Sequence, residues 1–356
     1  MPKTNNNISK TKRNISNKQV LIGLCVLIAV VVGLFIGVYN FLKHNNVPIA
    51  EEYYMYIPTG SDYVAVKDSL NAHGCIVDSL FFNWLANRKN YPQHVKAGRY
   101  KIVPGMNINT LLNKLMSGNQ DPLKVVIGKF RSAEKLAQKL AIKLEFDSVD
   151  FMKAFENKAL LDSFGLTDEN KMALFIPNTY EVYWNISPED FLRRMYAERK
   201  KFWSEKRRIK AQDLEMTENE VMILASIVDE ETNKDDEKPL VASVYLNRLR
   251  KGYLLQADPT VRFAIQNFGI RRVLKKYLKY DSPYNTYMYK GLPPGPICIP
   301  SIASIDAVLE NKQTDYMFFC AKEDFSGYHN FAVTHNEHIQ NARKFQKALN
   351  ERKIFE

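Results

Sequence analysis

Cysteine is scarce in this chain: four residues in 356, scattered and never spaced C-x-x-C. That excludes a disulfide scaffold and the usual paired-thiolate zinc site. Histidine is scarce too, with six residues and no H-E-x-x-H arrangement, which argues against a zinc hydrolase. Acidic residues are missing from the first fifty positions, and the first carboxylate is Glu51. Over the whole chain Lys plus Arg number 50 against 39 for Asp plus Glu, a formal charge of +11. Such a bias favours polyanionic surroundings (membrane surface, cell wall or nucleic acid) and is silent about fold. With 46% hydrophobic and 25% charged residues, the chain is neither disordered throughout nor collagen-like. Its length fits about two to three domains.

What stands out first is a run from Val20 to Tyr39 without a charge or strongly polar group. A bilayer core takes about 20 apolar residues in helix. A cleaved signal peptide has a shorter apolar region, about 7–15 residues, followed by a small-x-small site. No convincing site of that kind precedes Glu51, and Leu24 before Cys25 does not suit a lipoprotein signal. A retained transmembrane helix over 20–42 is therefore expected, after a tail over 1–19 and before a linker over 43–52. Lys3, Lys10, Lys12, Arg13 and Lys18 precede the span, and only Lys43 and His44 follow it directly. The positive-inside rule keeps the tail in the cytoplasm and exports everything beyond residue 42. The Asn- and Ser-rich tail reads as disordered. The exported part holds Cys75, Cys298 and Cys320, enough for at most one internal disulfide, whose pairing stays open.

Residues 53–157 show a strand-turn-helix pattern three times. Tyr53–Ile57 is β-prone, Pro58-Thr59-Gly60 is a turn, and Tyr63 to Leu70 has helical periodicity. Arg99 to Val103, Pro104-Gly105 and the face Ile108, Leu111, Leu112 and Leu115 repeat it. Val125 to Ile127, Gly128, Leu136 and Leu140 make a looser third copy. Gly74 and Gly118 sit where helix C-caps belong. Short units of this kind resemble the LysM-like module of cell-wall proteins, which packs two helices on a small sheet and binds N-acetylglucosamine chains. The alternative is a spacer whose Tyr and Leu residues are simply its core.

Chemistry concentrates from Thr217 onward. Thr217-Glu218-Asn219-Glu220 is a capping box, with Met216 and Val221 placed as a hydrophobic staple. The following V-M-I-L-A-S-I-V is apolar on nearly all faces, as in a helix buried inside a domain. It ends in Asp229-Glu230-Glu231-Thr232. Carboxylates at a helix C-terminus oppose the macrodipole, and adjacent acids raise one another's pKa. Glu231 lies three after Val228 and four after Ile227, so it continues the buried stripe. Asp229 and Glu230 point about 100° or more away. A partly buried carboxyl with a raised pKa suits a general acid; a solvated acid run is the plainer alternative.

Further on, Pro239 opens a helix whose apolar side is Val241, Val244, Tyr245 and Leu249, ending near Gly252. The segments A-S-I-V-D-E-E-T at 225–232, V-A-S-V-Y-L-N-R-L at 241–249 and L-L-Q-A-D-P-T-V at 254–261 together resemble the endolytic murein transglycosylase (YceG-like) family. F-I-P-N-T-Y at 175–180, Y-N-T-Y at 284–287, G-L-P-P-G-P-I at 291–297 and H-N-F-A-V-T-H-N-E-H at 329–338 follow the same pattern. The resemblance implies that Glu231, directly before Thr232, is the catalytic residue. Asp229 and Glu230 depart from the family's usual residues there, and Asn178 stands where it has an Asp.

Other polar residues have two readings each. Asp258 before Pro259 suits the N-cap of a helix over Thr260 to Ile265, or a sugar contact. Asn247 and Gln256 suit sugar amides or hydroxyls, or the tying of loops. Tyr284, Asn285 and Tyr287 suit a groove wall or ordinary core. His335 and His338 share a helix face, but without a third ligand they read as capping or packing residues, and no metal site is expected. Arg271, Arg272, Lys275, Lys276 and Lys279 suit a face toward anionic lipid or wall, or by default a solvated helix face.

The expected fold is α+β: one transmembrane helix, a LysM-like module over 53–124, and a mixed α/β catalytic domain over 125–356 with its acid at a helix C-terminus. The activity the resemblance implies is cleavage between N-acetylmuramic acid and N-acetylglucosamine inside peptidoglycan strands, closing a 1,6-anhydro end without consuming water. No cofactor is needed. The implied partners are glycan strands, the membrane and peptidoglycan synthases, not nucleic acid. A lysozyme-type muramidase is the nearest rival and needs a second carboxylate about 5–9.5 Å away, for which Asp258 and Glu237 are the candidates. A non-catalytic wall-binding scaffold is the other.

Overall fold

The computed structural model describes residues 17–44, 46–270 and 273–352. Lys3, Lys10, Lys12 and Arg13 of the basic tail, and Arg271 and Arg272 of the second basic run, lie outside the described residues. The first element is helix α1 (Asn17–His44), whose Val20–Tyr39 stretch is long and apolar enough to cross a membrane and is buried against nothing in the protein. The rest of the chain divides between Asp121 and Pro122 into two compact units.

In the first unit, β1 (Tyr53–Ile57) is followed by α2 (Tyr63–Ala72), α3 (Ser79–Arg88), β2 (Gly98–Ile102) and α4 (Ile108–Ser117). β1 and β2 pair antiparallel with Met55 opposite Tyr100, and alternation sends Met55, Ile57, Tyr100 and Ile102 into the core. Asp62, Asp78 and Asn107 cap the three helix starts by accepting from backbone N–H groups. Gly118 closes α4 at φ +70°, a conformation that costs glycine nothing. Val47 is buried in this core and hydrogen-bonds Met106 and Gly105, so the chain is tied down soon after α1 ends.

The second unit begins with β3 (Leu123–Ile127), α5 (Ala133–Ala141), α6 (Ser148–Phe155), α7 (Lys158–Ser163), β4 (Asn178–Val182) and α8 (Pro188–Phe202). β3 pairs antiparallel with β4, Val125 opposite Tyr180. The third strand-turn-helix copy thus belongs to this unit: its strand takes a partner some fifty residues downstream, not the preceding sheet. An aromatic core of Phe146, Phe151, Phe155, Phe175 and Phe191 fills this half.

The other half contains α9 (Glu205–Asp213), α10 (Glu218–Glu231), α11 (Lys238–Arg250), α12 (Asp258–Ala264), α13 (Ile302–Glu310), the antiparallel pair β5 (Phe318–Ala321) and β6 (His329–Ala332), and α14 (His335–Glu351). α10 is the central helix, packed by α11, α12 and α13, with Val221, Leu224, Ile227 and Val228 fully buried. Among the described residues of this unit both sheets, β3-β4 and β5-β6, are two-stranded and antiparallel, so it is a mixed α/β domain in which helices dominate. Lys275, Lys276 and Lys279 lie in a turn and one 3₁₀ turn, not on the solvated helix expected for them. The four cysteines are free thiols.

Candidate active site

The Thr217–Glu220 capping box forms as expected and starts α10; the helix ends at Glu231, with Thr232 already extended. Its three terminal acids go to three different environments. Asp229, the most buried at 6% exposure, accepts hydrogen bonds from Ser301 and Ser304 Oγ, each at 2.5 Å, and pairs with Lys129 and Lys238. Burial alone pushes this carboxyl up, but the two hydroxyls and Lys129 outweigh it and hold it at about 2. Glu230 forms a two-pronged pair with Arg131 at 2.7 and 2.9 Å and a third contact with Lys129 at 2.9 Å. Lys129 also donates to the Asp229 carbonyl at 2.7 Å, satisfying a C-terminal backbone group of α10.

Glu231 differs: among the described residues its hydrogen-bond partner is a tyrosine and not a lysine or arginine. It is half-buried and lines a cavity of about 330 Å³. Tyr245 of α11 donates its hydroxyl to Glu231 Oε1 at 2.5 Å. Burial raises the Glu231 carboxyl to about 7, the charges of Asp258 and Glu230 add to that, and Tyr245 and Arg262 oppose it. The sequence reading attributed the raised pKa to the helix end and the adjacent acids. Burial is the larger cause, because Asp229 and Glu230 face their own cations. A carboxyl whose pKa lies near the surrounding pH is of the kind that can both give and take a proton.

Asp258 also lines this cavity. It is not an N-cap: Ala257 precedes the helix, Asp258 is its first residue, and no side chain caps the start. The reason is tertiary: Thr286 Oγ1 accepts from Ala257 N–H at 3.0 Å, which holds Ala257 as the residue that opens the helix. The Asp258 carboxylate instead accepts from the Tyr287 hydroxyl at 2.6 Å, and burial together with Asp258 pushes Tyr287 above the ordinary tyrosine range. Gln256 lines the cavity with φ at +53°, a left-handed conformation that costs a non-glycine residue about 1–3 kcal/mol.

The remaining sequence candidates sit elsewhere. Asn247 donates to the carbonyls of Thr314 and Tyr316, and fully buried Asn285 donates to those of Leu278 and Tyr280, so both tie loops. Tyr284 packs its ring at a tilt against Phe263 and donates to the Glu169 carbonyl at 3.3 Å. Gly295 passes so close to that carbonyl that any Cβ there would collide with it. Asn178 is exposed at the start of β4 and outside the cavity.

Sequence reasoning missed Tyr245, Arg248, Phe319 and His329 as parts of the cavity wall. Tyr245 and Arg248 are three apart on α11 and therefore share a face, a signal that was available. Nothing in the sequence places β5 and β6 beside them. His338 also faces the cavity, its ring stacked on Phe318, and burial lowers its pKa so that it stays neutral. No cluster of three metal-ligating side chains occurs among the described residues.

The YceG-like family profile matches residues 55–344, most of the chain. The chain belongs to the YceG-like family. An endolytic murein transglycosylase from Bacillus subtilis (strain 168) is 28% identical over 317 residues, 83% of this chain and 85% of that protein. One from Streptococcus pneumoniae serotype 2 (strain D39 / NCTC 7466) is 27% identical over 321 residues, 80% of this chain and 57% of that protein. The 2.6 Å crystal structure of a yceG-like protein from Listeria monocytogenes aligns at a TM-score of 0.54 and 26% identity, over 82% of this chain and 99% of that one. For this YceG-like chain, family membership supports an enzyme of the lytic transglycosylase kind that works on the cell wall from a membrane anchor.

Proposed function

We propose that this YceG-like protein cleaves the β-1,4 bond between N-acetylmuramic acid and N-acetylglucosamine inside nascent peptidoglycan strands, leaving 1,6-anhydro-muramic ends and ending strand elongation. Helix α1 anchors it, residues 1–19 stay in the cytoplasm, and everything beyond 42 acts outside. The first unit serves as a LysM-like glycan-binding module, and peptidoglycan synthases are its natural neighbours. The observation that carries the reading is the Glu231 carboxyl, raised to about 7 by burial and facing the cavity.

Protonated Glu231 gives its proton to the bridging oxygen as the bond to muramic C1 breaks. The resulting carboxylate then takes the proton of the muramic 6-hydroxyl, whose oxygen closes onto C1. One proton leaves Glu231 and one returns, so no water enters the product. Tyr245 holds Oε1 and leaves Oε2 to face the substrate. Gln256, Asp258 and Tyr287 offer polar contacts along the same cavity.

A hydrolytic reading is favoured by one specific observation, the presence of Asp258 in the Glu231 cavity, since muramidases pair two carboxyl groups. Mass spectrometry of purified strands digested by the full-length protein separates the two. Anhydro-muramic ends are expected, absent from the Glu231→Gln variant. Reducing muramic ends from the wild type would make the protein a hydrolase. Full activity in Glu231→Gln would remove Glu231 from the chemistry.

A further inference from the structure

Glu237, at the start of α11, is 3% exposed, and both of its oxygens engage a single residue. Oε1 accepts the backbone N–H of His329 at 2.6 Å, and Oε2 lies 2.8 Å from His329 Nδ1. A carboxylate only accepts, so Nδ1 carries the ring proton. In the neutral form of the ring Nε2 is then an acceptor, and it has no protein partner among the described residues. The ring stands edge-on to Phe319 at 5.2 Å, which fixes its plane. Next to it, Tyr328 donates to Asp236 at 3.1 Å, so the start of β6 is clamped twice to the segment leading into α11. His329 and Phe319 both line the cavity that holds Glu231.

We propose that Glu237 is a positioning residue that fixes the tautomer of His329, and that His329 Nε2 is a substrate contact accepting a hydrogen bond from a sugar hydroxyl or acetamido N–H. The ligand group must be a donor, because the tautomer leaves nothing on Nε2 to give. This rests on the glycan-cleaving reading above and adds a contact to it on a wall separate from α10 and α12. A merely structural dyad would tie β6 to α11 and leave Nε2 idle, and the two roles differ in what substitutions do.

His329→Asn keeps an amide where Nδ1 sits, able to bond Glu237, but has nothing at the Nε2 position. His329→Gln reaches that position with an amide oxygen. In Glu237→Gln the amide oxygen stays with the His329 backbone N–H and the NH₂ faces Nδ1. Two donors cannot face each other, so the ring proton moves to Nε2 and the acceptor is lost. The experiment follows cleavage of purified glycan strands by the full-length protein, with ¹⁵N-histidine NMR of wild type and Glu237→Gln. Expected are a KM rise of about tenfold in His329→Asn and Glu237→Gln, the loss of one hydrogen bond, with kcat little changed. Recovery in His329→Gln is also expected, together with a wild-type Nε2 resonance of the unprotonated kind that becomes protonated in Glu237→Gln. A wild-type KM in His329→Asn, with Glu231→Gln inactive in the same assay, overturns this proposal alone. A wild-type ring protonated only on Nε2 overturns it as well. Failure of the wild type to cut glycan removes the underlying reading and leaves the tautomer measurement standing.

Discussion

The Tyr245 hydroxyl, in the middle of α11, donates to Oε1 of Glu231, the last residue of α10, at 2.5 Å. Burial and the neighbouring Glu231 raise the pKa of Tyr245 well above the usual value, so it remains a donor around neutral pH. Its bond favours the charged form of Glu231 and opposes the burial that disfavours it. Tyr245→Phe removes that opposition. The Glu231 pKa should rise above 7, and the basic limb of the pH–rate profile should move to higher pH. The maximal rate should fall about tenfold as one oxygen loses its tether. An unmoved basic limb in kcat against pH would disconnect Tyr245 from the acid.

Glu231 also makes stability depend on pH, with a definite sign. Its folded pKa of about 7 lies above the ordinary 4.5. The favourable contribution is therefore complete below pH 4.5 and is lost as pH rises through 7, a change on the order of 3 kcal/mol before solvent screening reduces it. Glu231→Gln should abolish this dependence, matching wild type at pH 5 and exceeding it at pH 8. Urea melts of both proteins at the two pH values check this. A variant less stable than wild type at pH 8 would contradict the burial argument.

Asp229 has the opposite sign. Held at about 2 against an ordinary 3.8, it stabilises the fold above about pH 4 and loses that effect as pH falls toward 2. Asp229→Asn leaves Lys238, whose side chain is 5% exposed, beside a neutral amide. Lys238 keeps Asp235 at 2.7 Å and Lys129 keeps Glu230 at 2.9 Å, so the expected cost is that of weakened charged hydrogen bonds, about 2–3 kcal/mol. Thermal unfolding measures it, and a variant within 1 kcal/mol (about the size of an ordinary surface substitution) would show that the cluster is not structural.

These two acids show how far the sequence could be read. α10 was legible because the Thr217–Glu220 box and an octet that is apolar but for Ser226 both act locally. Glu231 was legible because residues three and four apart share a helix face. Treating Asp229 as a like-charged neighbour failed because its partners Lys129, Ser301 and Ser304 lie 72 to 100 residues away in the chain. Asp258 failed by one residue: proline is tolerated throughout a helix's first turn, and only the tertiary bond from Ala257 to Thr286 decides which residue opens it. β1, α2, β2 and α4 were legible from their turns and from Gly74 and Gly118, whereas α3 was not read. The third copy falls in the segment over 125–356, but its pairing with Asn178–Val182 was not legible, because a five-residue strand carries no local record of which edge it joins. His329 needed the pairing of β5 with β6, which is non-local.

The anchor gives a prediction independent of catalysis. Val20–Tyr39 is apolar over 20 residues, with Lys18 just before it. The protein should stay in the membrane fraction after washing with high salt. A reporter fused after Glu356 should be active only when it functions outside the cytoplasm. Release into the soluble fraction would remove the anchor, and a reporter active only in the cytoplasm would reverse the orientation.

Asp258 shares the cavity with Glu231, and its charge raises the Glu231 pKa, second only to burial among the raising causes. Asp258→Asn removes that charge and keeps an oxygen to accept from Tyr287, so the wall should hold its shape. Glu231 should then lose its proton at lower pH. In a transglycosylase, where Glu231 alone moves protons, anhydro products should persist and the basic limb of kcat/KM should shift toward acid. The rate at pH 8 falls more than the rate at pH 6. In a two-carboxylate hydrolase the same substitution removes the nucleophile or the water-activating base. Activity then drops by about 10²–10⁴-fold at every pH, because no change of pH restores a group that is gone. Product mass spectra and a pH–rate profile of this one variant, with a thermal melt to verify that it folds, distinguish the two mechanisms by the shape of the loss as well as its size.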